Sequence, residues 1–167
     1  MKKTFIFLFA LLASMSFAKK PKNIRLVMVS PISSETPVYE NDSIRFEFEW
    51  RDYKNYGIYI KIINSKTSRI YVEWENARVQ NERLCFGDDN IITYKQKRED
   101  EVIHASSYSR KFVGRKSDFT GRDTQIFPMS KVKETGESEC REIILPIKHE
   151  DKTTDYRFAL KIIGDIK

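Results

Sequence analysis

Apolar and polar side chains alternate twice along the stretch GIYIKIINSKTSRIYVEWENARV, residues 57–79. Ile58, Ile60 and Ile62 fall on one face, and Ile70, Val72 and Trp74 do the same after NSKTS. A period of two places one face of a sheet in a core. The intervening run consists of turn formers whose short side chains hydrogen-bond nearby backbone, so the pattern predicts a β-hairpin over residues 58–75. SIRFEFEW repeats the alternation, with Ile44, Phe46, Phe48 and Trp50 opposite Arg45, Glu47 and Glu49. Further strand-like runs lie at 24–30, 83–86, 90–95, 141–147 and 156–163. Pro146, which cannot donate to a ladder, is expected at an edge or a strand end.

No stretch carries a sustained helical period with caps; REDEVIHASSYSRKF is the nearest, and its serines and β-branched residues argue against it. Many short strands with frequent turns predict an all-β fold, specifically two packed antiparallel sheets in an immunoglobulin-like β-sandwich rather than a closed barrel. Residues 106–138, rich in Ser, Lys, Arg, Thr and Gly, read as an extended loop with TQIFPM as a short edge piece. Trp50 and Trp74 end alternating strands and read as core fillers, since an indole brings a large apolar area.

The N-terminus changes what composition means. MKKTFIFLFALLASMSFAKK has two lysines, an apolar run from Phe5 to Ala13, and small residues at Ser16 and Ala18, the three parts of a secretory signal. The run is shorter than the roughly 20 apolar residues a membrane span needs. The sequence therefore predicts a signal peptide over residues 1–18 and one domain over 19–167, exported to the periplasm or the extracellular medium. Without Lys2 and Lys3, 28 basic residues face 24 acidic ones, a net charge of +4 in place of the full chain's +6.

Four stretches carry a family resemblance: IKIINSKTSRIYVEW, with Asn64, Thr67, Ile70 and Trp74; IFP at 126–128; REIILPI at 141–147; and DYRFALKI near the end. Across residues 40–163 they resemble a group of small exported bacterial proteins, often lipoproteins, of uncharacterised function. The resemblance implies the sandwich and an envelope location, and no catalytic residue comes with it. Unlike many of that group, this chain has no lipobox cysteine.

Cys85 and Cys140 both lie in the exported part. An even count in an oxidising compartment predicts a Cys85–Cys140 disulfide, closing about 55 residues and worth about 4 kcal/mol on the chain-entropy account; two buried thiols are the alternative. There is no phosphate-binding glycine loop, dinucleotide fingerprint or zinc-ligand spacing, so no cofactor and no metal are expected. The carboxylates of FGDDN lack the alternating calcium ladder and read as a turn. His149, in KHEDKTTD, reads as part of the turn joining the last two strands. His104, with Asp100, Ser106, Ser107 and Ser109 close by in sequence, is the one place for a hydrolase site, and no nucleophile elbow accompanies it.

From Lys95 to Arg122, eight cations face four acids, a local charge of +4, with Tyr94, Tyr108, Phe112 and Phe119 interleaved. Arg110, Lys111, Arg115 and Lys116 are thus the candidate anion-contacting residues, and an anionic envelope polymer or an acidic protein is the expected partner. No nucleic-acid reader motif is present. The functional expectation is a non-enzymatic binding or structural module of the envelope; a hydrolase using His104 is the rival.

Overall fold

A computed structural model describes residues 21–51, 57–87, 94–95, 99–115 and 126–166. Among these residues there are twelve strands: β1 (Lys22–Ser30), β2 (Val38–Glu40), β3 (Ile44–Glu49), β4 (Ile58–Asn64), β5 (Ile70–Val72), β6 (Arg78–Val79), β7 (Glu82–Gly87), β8 (Tyr94–Lys95), β9 (Glu101–Ile103), β10 (Tyr108–Arg115), β11 (Arg141–His149) and β12 (Lys152–Asp165). Among the described residues one 3-10 turn spans Trp74–Asn76, and one α-helix, α1, spans Met129–Thr135. The all-β, antiparallel expectation holds. In place of two separate sheets, all twelve belong to one, in which nine follow the path β1-β12-β11-β6-β7-β10-β4-β3-β2, curling until it is nearly closed, while β5 pairs with β11 and β9, and β8 with β7, off that path. The β6–β7 hairpin carries the path from one half to the other, pairing Arg78 with Arg83 and Val79 with Glu82. At the open seam, Met28 exchanges two 2.9 Å backbone bonds with Ser34, and Pro37 accepts one from Phe48.

The alternation of apolar positions is realised as burial. Ile44, Phe46 and Phe48 from β3, Ile58, Ile60 and Ile62 from β4, and Ile70, Val72 and Trp74 face a common core. Phe46 and Phe48 stack on Phe158 of β12 at 4.9 and 4.8 Å between ring centroids, joining the two halves. Trp50 is half-buried and packs against the same core.

The expected hairpin over 58–75 does not form. β4 has β3 on one side and β10 on the other, so it has no free edge to offer β5. β5 pairs instead with β9 and β11 in the opposite half, and residues 65–69 are a crossover. The sidedness of Ile58–Ile62 and Ile70–Trp74 was legible, but the pairing was not, because alternation reports which face is buried and says nothing about neighbours.

Asn64, fully buried at the end of β4, holds the crossover. Its Nδ2 donates to the carbonyls of Ser68, Ile103 and His104 at 2.8, 3.1 and 3.1 Å, and its Oδ1 accepts from the Lys66 amide at 3.0 Å. One side chain thereby ties β4, the crossover and the β9–β10 turn.

Two further differences have local causes. Pro146 sits inside β11, a central strand, where β11's neighbour changes from β6 to β5. Its carbonyl accepts from Glu73, so its ring nitrogen faces the same gap, filled by the 3-10 turn, and no ladder bond is lost there. The helix α1 lies in the stretch read as a loop: only Val132 of its seven residues is buried, which gives no period to detect. Gly136 ends it in the left-handed region at φ 84°, its amide bonded to Val132.

Removing the Asn64 amide leaves three carbonyls and one amide without that partner in a buried site. Asn64→Ala is therefore expected to lower unfolding stability by about 3 kcal/mol, measured by urea denaturation with unchanged m-value.

Candidate functional site

The sequence-selected cations divide among three environments. On β10, Tyr108, Arg110 and Phe112 point outward, whereas Ser109, Lys111 and Val113 lie on the core side. Register sets Arg110 beside Lys61 and Phe112 beside Tyr59 on β4, and β3 sets Glu47 beside Lys61 and Glu49 beside Tyr59. The result is an outer shelf of alternating charge over aromatic rings. The Arg110 guanidinium stacks on the Tyr59 ring at 4.0 Å from its centroid, with Arg51 at 5.1 Å. Lys61 stands 5.3 Å from the centroid of Tyr108, itself 63% exposed. Glu49 accepts from both guanidinium groups, 2.5 Å to Arg51 Nε and 2.6 Å to Arg110 Nη2. Arg51's hydrogen bond, with Arg110's beside it, holds the Glu49 carboxyl below the usual carboxylate range against an opposing effect of burial. Lys61 pairs with Glu47 at 3.1 Å. An open cleft of about 650 Å³ runs alongside, lined by Pro37, Phe48, Arg51, Tyr59, Tyr108 and Arg110 among others.

Lys111 turns away from this shelf. Its Nζ lies 3.1 Å from Glu101 Oε1, which also accepts from Ser109 Oγ at 2.9 Å, while Glu101 Oε2 accepts from Trp74 Nε1 at 2.9 Å. Four side chains from β9, β10 and the 3-10 turn are thus joined through one carboxylate. Arg115, largely buried, faces Glu82 at 3.8 Å. Lys116 lies outside the described residues, as do residues 88–90 of FGDDN. Each described member of the candidate anion-contacting set already has a carboxylate partner.

The Cys85–Cys140 bridge is not formed; both thiols are free. Leu84 takes the inward position on β7, which turns Cys85 to the outer face, where it is buried with Tyr59 and Phe112. Cys140 is exposed just before β11, in the other half, its carbonyl bonded to Gln80. Partial desolvation of its sulfur nevertheless raises the Cys140 thiol pKa against the pull of the Lys161 cation.

His104 occupies the β9–β10 turn with its carbonyl bonded to Asn64 and Ser107. Among the described residues its ring meets neither a serine nor a carboxylate, and Ser109 is engaged by Glu101. A different histidine has polar partners. His149 Nε2 lies 2.7 Å from Ser68 Oγ, and its Nδ1 lies 3.4 Å from Lys66 Nζ. These residues are 81 and 83 positions apart, brought together where the crossover meets the end of β11. An ammonium can only donate, so Lys66 assigns the lone pair to Nδ1 and the proton to Nε2; Ser68 Oγ then receives a proton rather than losing one. This Ser–His pair is therefore not poised as nucleophile and base. Among the described residues there is no group of three or more His, Cys, Asp or Glu placed to hold a metal ion, and no helix long and apolar enough to cross a membrane.

No family model matches the chain, and no curated protein matches it. A solved structure described as a protein from Archaeoglobus fulgidus covers 88% of this chain and 99% of its own length at 7% identity, with a TM-score of 0.31, a likeness that carries no argument about fold or function.

Alkylation of the native protein is expected to modify Cys140 and spare Cys85, with both modified in urea. Because the Cys140 pKa is raised, its rate should keep climbing as pH passes the ordinary thiol range near 8.5. Peptide mass mapping reads both outcomes, and a disulfide-linked pair in protein exported with its signal would restore the bridge.

Proposed function

We propose that this protein is a non-enzymatic binding or structural module of the bacterial envelope, exported by its N-terminal signal, whose partner is an anionic polymer or an acidic protein. The scaffold serves as an immunoglobulin-like sandwich does, with two strand halves packed on a common core and recognition on an outer face. The observation that carries the reading is the shelf on β3, β4 and β10: two guanidinium groups stacked on Tyr59, an exposed Tyr108, and an open cleft beside them. Stacked arginines present their planar forks edge-on, the geometry that suits carboxylate and phosphate oxygens. Glu49 occupies those forks in the free protein, so a ligand's anion competes with it. The lysine-rich signal pattern, the small residues before Lys19 and the family resemblance support the envelope location.

This competition makes a test with opposite signs. Glu49→Gln removes the carboxylate that pairs with both guanidinium groups and should move elution from an immobilised polyanion, such as polyglutamate, to higher salt. Arg51→Gln with Arg110→Gln should abolish retention with the fold kept, as exposed ion pairs contribute about 0–1 kcal/mol. Retention by the parent should fade between 0.1 and 1 M salt, where the screening length shrinks from about 10 to about 3 Å. If all three proteins elute together, the shelf does not bind anions.

A further inference from the structure

We infer that Lys66 and His149 form an acid-gated oxyanion site, independent of the shelf. The contact between Lys66 Nζ and His149 Nδ1, 3.4 Å, exists only while Nδ1 carries a lone pair. Histidine is the side chain that gains a proton between pH 8 and 5. When it does, Nδ1 becomes a second donor facing the ammonium, and the hydrogen bond is replaced by two like charges. An oxyanion inserted between them accepts from both and removes the repulsion. Ser68 Oγ, 2.7 Å from Nε2, accepts the Nε2 proton in either state and so keeps the ring oriented. The ligand class follows from this geometry: a compact anion with at least two acceptor oxygens, of the sulfate or phosphate type, bridging an ammonium and an imidazolium.

The surroundings leave the site to an external anion. Arg69 follows Ser68 on the crossover, and Lys152 of β12 stands opposite His149 in the β11–β12 ladder. His104 lies across the Asn64 clamp, which binds both its carbonyl and that of Ser68. The nearby acids are Glu150 and Asp151 in the β11–β12 turn and Asp42 before β3. Among the described residues none of these carboxylates forms an ion pair or hydrogen bond with Lys66, Arg69 or His149. The cations of β10, in contrast, each have a carboxylate.

The full chain has two histidines, so its imidazole NMR spectrum resolves His149 with His104 as an internal control. Sulfate is the probe, since its charge is the same at pH 5.5 and 7.5, with chloride at matched ionic strength as reference. The expected result is a saturable shift of the His149 signals at pH 5.5 that weakens at pH 7.5, with His104 unmoved. Lys66→Met should remove the sulfate-induced shift of His149, and Ser68→Ala should weaken it. Arg51→Gln with Arg110→Gln should leave it intact even if polyanion retention is lost. The inference is overturned if sulfate leaves His149 unmoved at pH 5.5, if both histidines move alike, if affinity is equal at the two pH values, or if Lys66→Met binds as the parent does.

Discussion

The hydrogen bonds of the Asn64 side chain are the constraint on which the architecture turns. A strand that alternates as strictly as β4 would ordinarily continue through a short turn into a paired neighbour. Here the buried amide takes the carbonyls of the crossover and of the β9–β10 turn, so the chain leaves β4 across the core and enters the opposite half. A buried amide with all its partners is a specific device: its bonds are available in one arrangement and lost in others. The two halves are therefore registered against each other at this end by polar contacts and near Phe158 by ring stacking.

Glu101 does related work at the opposite end of β9. A carboxylate among three donors is stable where a lone one would not be, and Trp74, Ser109 and Lys111 supply those donors. Lys111 belongs to this internal contact, although composition places it in a basic surface segment. Net charge over a window of sequence counts cations without their partners, and in a curled sheet those partners arrive from other strands: Glu49 is 61 residues from Arg110.

What could be read beforehand follows from the same physics. Sidedness was legible in Ile44–Phe48, Ile58–Ile62 and Ile70–Trp74 because burial imposes a period of two on each strand separately. Partnership was not, since β4 and β5 satisfy the pattern equally well as a hairpin or as members of two halves. Pro146 was misplaced because its tolerance depends on a local gap between β5 and β6 that only the assembled sheet contains. The Lys66–Ser68–His149 cluster had no local signature at all; two polar turns meet there only after the intervening strands have folded.

The pairing of β1 with β12 has a consequence in time. Lys22 lies opposite Asp165, and Leu26 opposite Ile162, so the first strand of the path finds its ladder partner nearly the whole chain away. During synthesis β1 has no edge to join until β12 emerges, and β11 likewise waits for the partner that covers nine of its residues. Contacts of such separation form late and slowly. A growing chain of this kind stays open while it is made; the topology itself delays closure of the sheet until the last strand is available.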